Sequence, residues 1–112
     1  MNVTRPIIEH CVDVELEAAR KEHEEFHSLH EAYAVTLEEV EEAKEELKYI
    51  EEKMQDFWEC VKCDDEEAAN KVLELLERGA VDLAAEAVQV AAMARKARRL
   101  GKGENKTWFG KE

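Results

Sequence analysis

The chain has 112 residues, 28 of them acidic and 16 basic, for a formal net charge of −12. So acidic a body repels nucleic acid, and no run of 18 apolar residues is present to cross a membrane. The length suits one domain, expected over residues 1–100, followed by a basic tail over 101–112. The last 18 residues hold 7 of the 16 bases and only 2 of the 28 acids.

Three cysteines, an odd number, argue against a disulfide framework and for a reducing compartment. The opening MNVTRPIIEH lacks the basic-then-apolar order of a secretory leader, so a cytoplasmic protein is expected. Glycine is absent before Gly79 and proline after Pro6, and Glu, Ala, Leu, Lys and Val dominate between. Helix propensity is therefore high throughout, no strand pattern appears, and the expected class is all-α.

Thr4 and Pro6 open a first helix running to about Phe26, with Ile8, Val12, Leu16, Ala19, His23 and Phe26 as its apolar stripe. Within HEEFHSLH, residues 23–30, the first five letters form H-E-x-x-H, the pattern of a zinc-protease helix. Ser28 and Glu31, however, have the spacing of a capping box, which starts a new helix and places the stretch across a junction. His23 and His30 then read as hydrogen-bonded core residues rather than ligands.

The second helix carries a seven-residue repeat. Tyr33, Val40, Leu47, Met54 and Val61 recur as one set, with Thr36, Ala43, Ile50 and Phe57 three residues after the first four. This is an a/d seam long enough for an antiparallel helical hairpin. Glu39, Glu42 and Glu46 flank it, and spacings of three and four residues bring their carboxylates together. Such a group suits a hard cation such as Mg²⁺, with a solvated acidic face as the plainer alternative. Cys60 and Cys63, in C-x-x-C spacing, could hold zinc with Cys11 and His10, although free thiols are the simpler reading. Trp58, Trp108 and Phe109 read as docking aromatics.

Asp64 and Asp65 interrupt the seam and cap a third helix from about Glu66 to Leu100, in which Gly79 is a candidate kink. Its second half, AVDLAAEAVQVAAMA, is expected to be buried nearly all round. Asp82, Glu86 and Gln89 draw one polar line along it. Buried carboxylates need partners, either a cation shared with Glu39 and Glu42 or a base such as Arg95 or Arg98. The apolar area left over by so short a chain favours a homo-oligomer, a dimer or tetramer.

The segments HEAYAVTLEEVEEAKEEL (30–47) and AAEAVQVAAMARKA (84–97) resemble a small helical protein of phages and prophages. More remotely, the chain is similar to the MazG-like all-α nucleoside triphosphate pyrophosphohydrolases, whose signature is E-E-x-x-E on one helix and E-x-x-D on a later one. Glu38, Glu39 and Glu42 match the first element. Glu86 opens the second, but Gln89 stands where that family has Asp. The resemblance implies an oligomeric helical bundle that binds Mg²⁺, or Mn²⁺, through Glu39, Glu42 and Glu86, with Asp82 as a further ligand. It implies Glu38 as a ligand or water-orienting base, and release of pyrophosphate from a nucleoside triphosphate. Lys and Arg over 95–106 would hold the remaining phosphate charge. The competing reading is a non-enzymatic helical interaction or assembly protein.

Overall fold

The structure is a computed structural model that describes residues 3–22 and 25–102, with side chains described through residue 98. It is all-α, with helices α1 (Arg5–Glu22), α2 (Leu29–Cys63) and α3 (Glu66–Lys102). No strand occurs among the described residues. None of these helices is long and apolar enough to cross a membrane. By contacts the chain divides into two compact units, one of Met1–Val40 with Ala87–Glu112 and one of Glu41–Glu86.

Each helix boundary has a local cause. Pro6 sits in the first turn of α1, where its missing N–H costs nothing, and the Ile8 amide closes that turn on the Thr4 carbonyl at 3.0 Å. The α1 helix is described to Glu22, and Phe26 lies in the link rather than in the helix as expected. The cause is the cap that follows it. The Glu31 amide donates to Ser28 Oγ at 3.1 Å, and the His27 amide donates to Glu31 Oε1 at 2.6 Å. That exchange satisfies the Glu31 amide, which the first turn of α2 leaves open, and the His27 amide just before it, and commits residues 27–28 to the link.

The α2–α3 turn is equally explicit. The Asp64 amide reaches the Val61 carbonyl and the Asp65 amide the Cys60 carbonyl, each at 3.0 Å, with Asp64 at φ 54°. This is the Schellman arrangement, in which a left-handed residue closes the helix end. Asp65 then accepts from the Ala68 amide at 3.1 Å and caps α3. Both aspartates interrupt the seam as the sequence suggests, but only Asp65 caps α3, while Asp64 closes the end of α2.

In the first unit the core gathers Val12, Leu16, Phe26, Ala32, Ala92 and Met93, with Ala19, Val35, Val88 and Ala97 packed against it. Val12, Leu16 and Phe26 were expected inside. Ile8, from the same stripe, is 41% exposed, and His23 lies outside the described residues.

In the second unit Gly79 does not break α3, which runs straight through it. A Cβ at this buried position would stand 3.0 Å from Tyr49 Cδ2 and 3.2 Å from Ile50 Cγ1. Glycine is there so that α3 can approach α2 closely. Within this unit that contact lies on the covered face of α2. Ile50 and Phe57 are half-buried, with Thr36 and Ala43 earlier on the helix, as half of the expected seam. The other half is exposed: Tyr33, Val40, Leu47, Met54 and Val61 all face solvent. Glu39, Glu46 and Lys53 are half-buried in their place. The Lys53 ammonium donates to Asp56 at 3.0 Å, and that bond raises its pKa above the usual 10.5.

The second half of α3 also departs from expectation. Ala92 and Met93 are buried, but Ala80, Val81, Ala84, Ala85, Ala87, Ala91 and Ala94 are exposed. Alanine presents so little apolar area that leaving it in water costs little.

Candidate metal centre

The carboxylates of Glu39, Glu42 and Glu86 each offer an oxygen, and these three oxygens all lie within 4.8 Å of one another. Glu42 and Glu86 belong to the second unit, and Glu39 precedes Glu42 by one turn on the same helix. The i, i+3 spacing stacks the two α2 carboxylates. Glu39 and Glu86 are half-buried and Glu42 is exposed. Among the described residues this is the one group of three His, Cys, Asp or Glu side chains placed to share an ion.

The donor set fits a hard cation. All three donors are carboxylate oxygens, the chemistry that Mg²⁺, Mn²⁺ and Ca²⁺ select, and neither thiolate nor imidazole takes part. Opposite oxygens around octahedral Mg²⁺ stand at most about 4.2 Å apart, and around Ca²⁺ about 5 Å. Glutamate rotamer adjustment can bring oxygens that already lie within 4.8 Å of one another onto a single such ion.

The other residues singled out from the sequence lie elsewhere. Glu38 is exposed and outside the group. Asp82 is exposed beside Glu74, Glu77, Arg78 and Val81, along a shallow depression of the second unit. It stands one helical turn, about 6 Å, before Glu86 along α3. Arg95 pairs with Asp13 of α1 rather than with Asp82 or Glu86, and Arg98 is exposed. Glu46 is half-buried but outside the group.

The zinc readings find no supporting geometry among the described residues. His27 sits in the link, exposed, 3.6 Å from Glu31, and His30 is exposed instead of continuing a core stripe. His23 is outside the described residues, as are Trp108 and Phe109. Cys11 and Cys63 are exposed and Cys60 is half-buried, all as free thiols.

The first unit contains a cavity of about 500 Å³. Its polar lining comprises Glu15, Glu22, Glu31, Glu39, Gln89 and Lys96, with Phe26 among the apolar residues. Lys96 is 3% exposed, and its Nζ lies 4.5 Å from the centre of the Phe26 ring. Glu39 is among its lining residues. Gln89, which breaks the E-x-x-D pattern, lines the cavity beside it.

Sequence reasoning passed over Phe26 and Lys96 as a pair. A signal was available: Lys96 lies three residues after Met93 and four after Ala92, on the buried face of α3, extending the Glu86–Gln89 line. Its place in the basic run RKARR grouped it with the phosphate-holding Lys and Arg of 95–106 instead.

The chain matches no protein-family model, no curated protein and no solved structure.

Proposed function

We propose that the protein binds a divalent cation, Mg²⁺ or Mn²⁺, at Glu39, Glu42 and Glu86, and hydrolyses a nucleoside triphosphate to the monophosphate and pyrophosphate in the manner of MazG-like enzymes. The observation that carries this reading is the convergence of those three carboxylates from two helices. In it α2 and α3 form an antiparallel hairpin. Residue pairs drawn from the helices support that direction: Tyr49 and Ile50 stand opposite Gly79, and Glu42 opposite Glu86, so that moving back along α2 moves forward along α3.

A bound cation would neutralise phosphate charge and orient it for in-line attack. The chain's own groups supply the rest. The cavity lining brings four glutamates against one base, Lys96, so a polyanion enters it only with its charge balanced. Lys96, over the face of Phe26, is the base positioned to meet phosphate there. Glu38 takes the role of the water-orienting base from its place in the E-E-x-x-E motif, and Asp82 a supporting charge one turn from Glu86. With Gln89 in place of Asp, one anionic ligand is lost, which weakens cation affinity.

The test is pyrophosphate release from a panel of ribo- and deoxyribonucleoside triphosphates with Mg²⁺ or Mn²⁺. Activity that falls at least about a hundredfold in Glu39→Gln, and falls in Glu38→Gln with cation binding intact, supports the reading. Cation binding without turnover of any nucleotide would leave a non-catalytic relative.

A second reading, an assembly protein, is favoured by a different observation: the exposed apolar repeat along α2.

A further inference from the structure

The exposed residues of α2 are not scattered. Tyr33, Val40, Leu47, Met54 and Val61 recur every seven residues, and Leu37 and Trp58 fall four residues after Tyr33 and Met54. Together they draw one stripe along a 35-residue helix about 52 Å long. Their exposures run from 36% for Val40 to 69% for Tyr33, so the chain's own packing leaves this stripe to water. Monomeric proteins seldom leave so regular an apolar strip open. A strict seven-residue period is the pattern that one helix presents to another, not to a flat surface or a small ligand.

The order of residues along the stripe identifies the partner. A two-fold axis crossing α2 at Leu47 sets Val40 against Met54 and Tyr33 against Val61, seven and fourteen residues to either side. Within one residue of that register Leu37 meets Trp58, small against large at each end. The two charges that interrupt the strip follow the same symmetry to within one residue. Lys44 and Glu51, both exposed, lie three residues before and four after Leu47, so each comes within one residue of the height of its opposite on the other helix, twice per pair. A parallel pairing would set Lys44 against Lys44 and Glu51 against Glu51. The flanking residues at the centre, Glu41, Glu45 and Lys48 with Lys44 and Glu51, border a shallow depression over Leu47 that fits a side chain from the facing helix.

We infer that the occupant is a second copy of the same chain, docked α2 to α2 in antiparallel orientation about a two-fold axis at Leu47. The interface is isologous, and Lys44 and Glu51 form its two reciprocal ion pairs. The inference specifies the surface and the symmetry of a homo-oligomer. It is independent of the proposed metal chemistry, so either can fail alone.

Sedimentation equilibrium of the full chain between about 5 and 100 µM tests it, a range chosen to bracket dimers of ordinary strength. The wild type is expected to dimerise. Lys44→Glu alone and Glu51→Lys alone should each weaken the dimer about ten- to thirtyfold, because two attractions become two repulsions. The double variant Lys44→Glu/Glu51→Lys should return to within about threefold of wild type. Mixing the two single variants should restore association as a heterodimer. Unchanged helicity by circular dichroism assigns the losses to the interface. A monomer at 100 µM overturns the inference. So does a dimer indifferent to the single reversals, or one weakened by both and rescued by neither the double variant nor the mixture.

Discussion

Lys96 Nζ lies 4.5 Å above the centre of the Phe26 ring, and both residues are buried. A charged amine survives at 3% exposure because it sits on the negative face of an aromatic ring and lines a cavity with four glutamates. Phe26→Leu and Lys96→Met should each destabilise the protein by about 1–2 kcal/mol in urea denaturation. The double variant should lose less than the sum, by roughly 0.5–2 kcal/mol of coupling. Strict additivity would mean that the two merely share a core.

The Ser28 cap fixes where α2 begins and hence where Phe26 enters the core. Ser28→Ala should cost about 1 kcal/mol, and Glu31→Ala a similar or smaller amount. Hydrogen exchange should speed up first at the amides of residues 29–32, whose protection depends on that cap.

Asp64 closes α2 in a left-handed conformation that a side chain adopts at some cost. Asp64→Gly should therefore raise stability by about 0.5–1 kcal/mol. Asp65→Ala should lower it by about 1 kcal/mol, since the Ala68 amide loses its acceptor. Thermal unfolding of the two variants should move in opposite directions.

Gly79 weakens α3 intrinsically yet admits the Tyr49 ring. Gly79→Ala gains about 1 kcal/mol in helix propensity but places a methyl 3.0 Å from Tyr49 Cδ2, so its net effect should be near zero or unfavourable. In a Tyr49→Ala background the same change should stabilise by about 1 kcal/mol. Gly79→Leu should destabilise in the presence of Tyr49 by at least about 2 kcal/mol.

The elements readable from the chain are those set by neighbours in sequence. The Ser28–Glu31 exchange, the Asp64–Asp65 turn and the stacking of Glu39 on Glu42 depend on spacings of one to three residues. They appear in the structure where the spacing puts them. What failed was the facing of α2. A seven-residue repeat marks Tyr33–Val61 as a face suited to another helix, but does not say whether that helix belongs to the same chain. Within the second unit the covered face is instead the one that α3 approaches at Gly79, a contact thirty residues distant from Tyr49. The same limit applies to charges: Arg95 stood near Asp82 and Glu86 in sequence, yet pairs with Asp13 across 82 residues. Asp82 shares a helix face with Glu86, but nothing local shows that it lies in the open beside Arg78.

The account turns on whether Glu39, Glu42 and Glu86 act together on a cation. Calorimetric titration of the full chain with Mn²⁺ at low ionic strength reads this directly, with Glu42→Gln as the principal variant because Glu42 is exposed and its loss spares the fold. The expected result is a saturable site in the wild type, displaced by millimolar Mg²⁺ and weakened at least about tenfold in Glu42→Gln and in Glu86→Gln. Asp82→Asn should leave it nearly unchanged, because Asp82 lies outside the group. No saturable binding at millimolar Mn²⁺, or a site that survives loss of either glutamate, would contradict the claim.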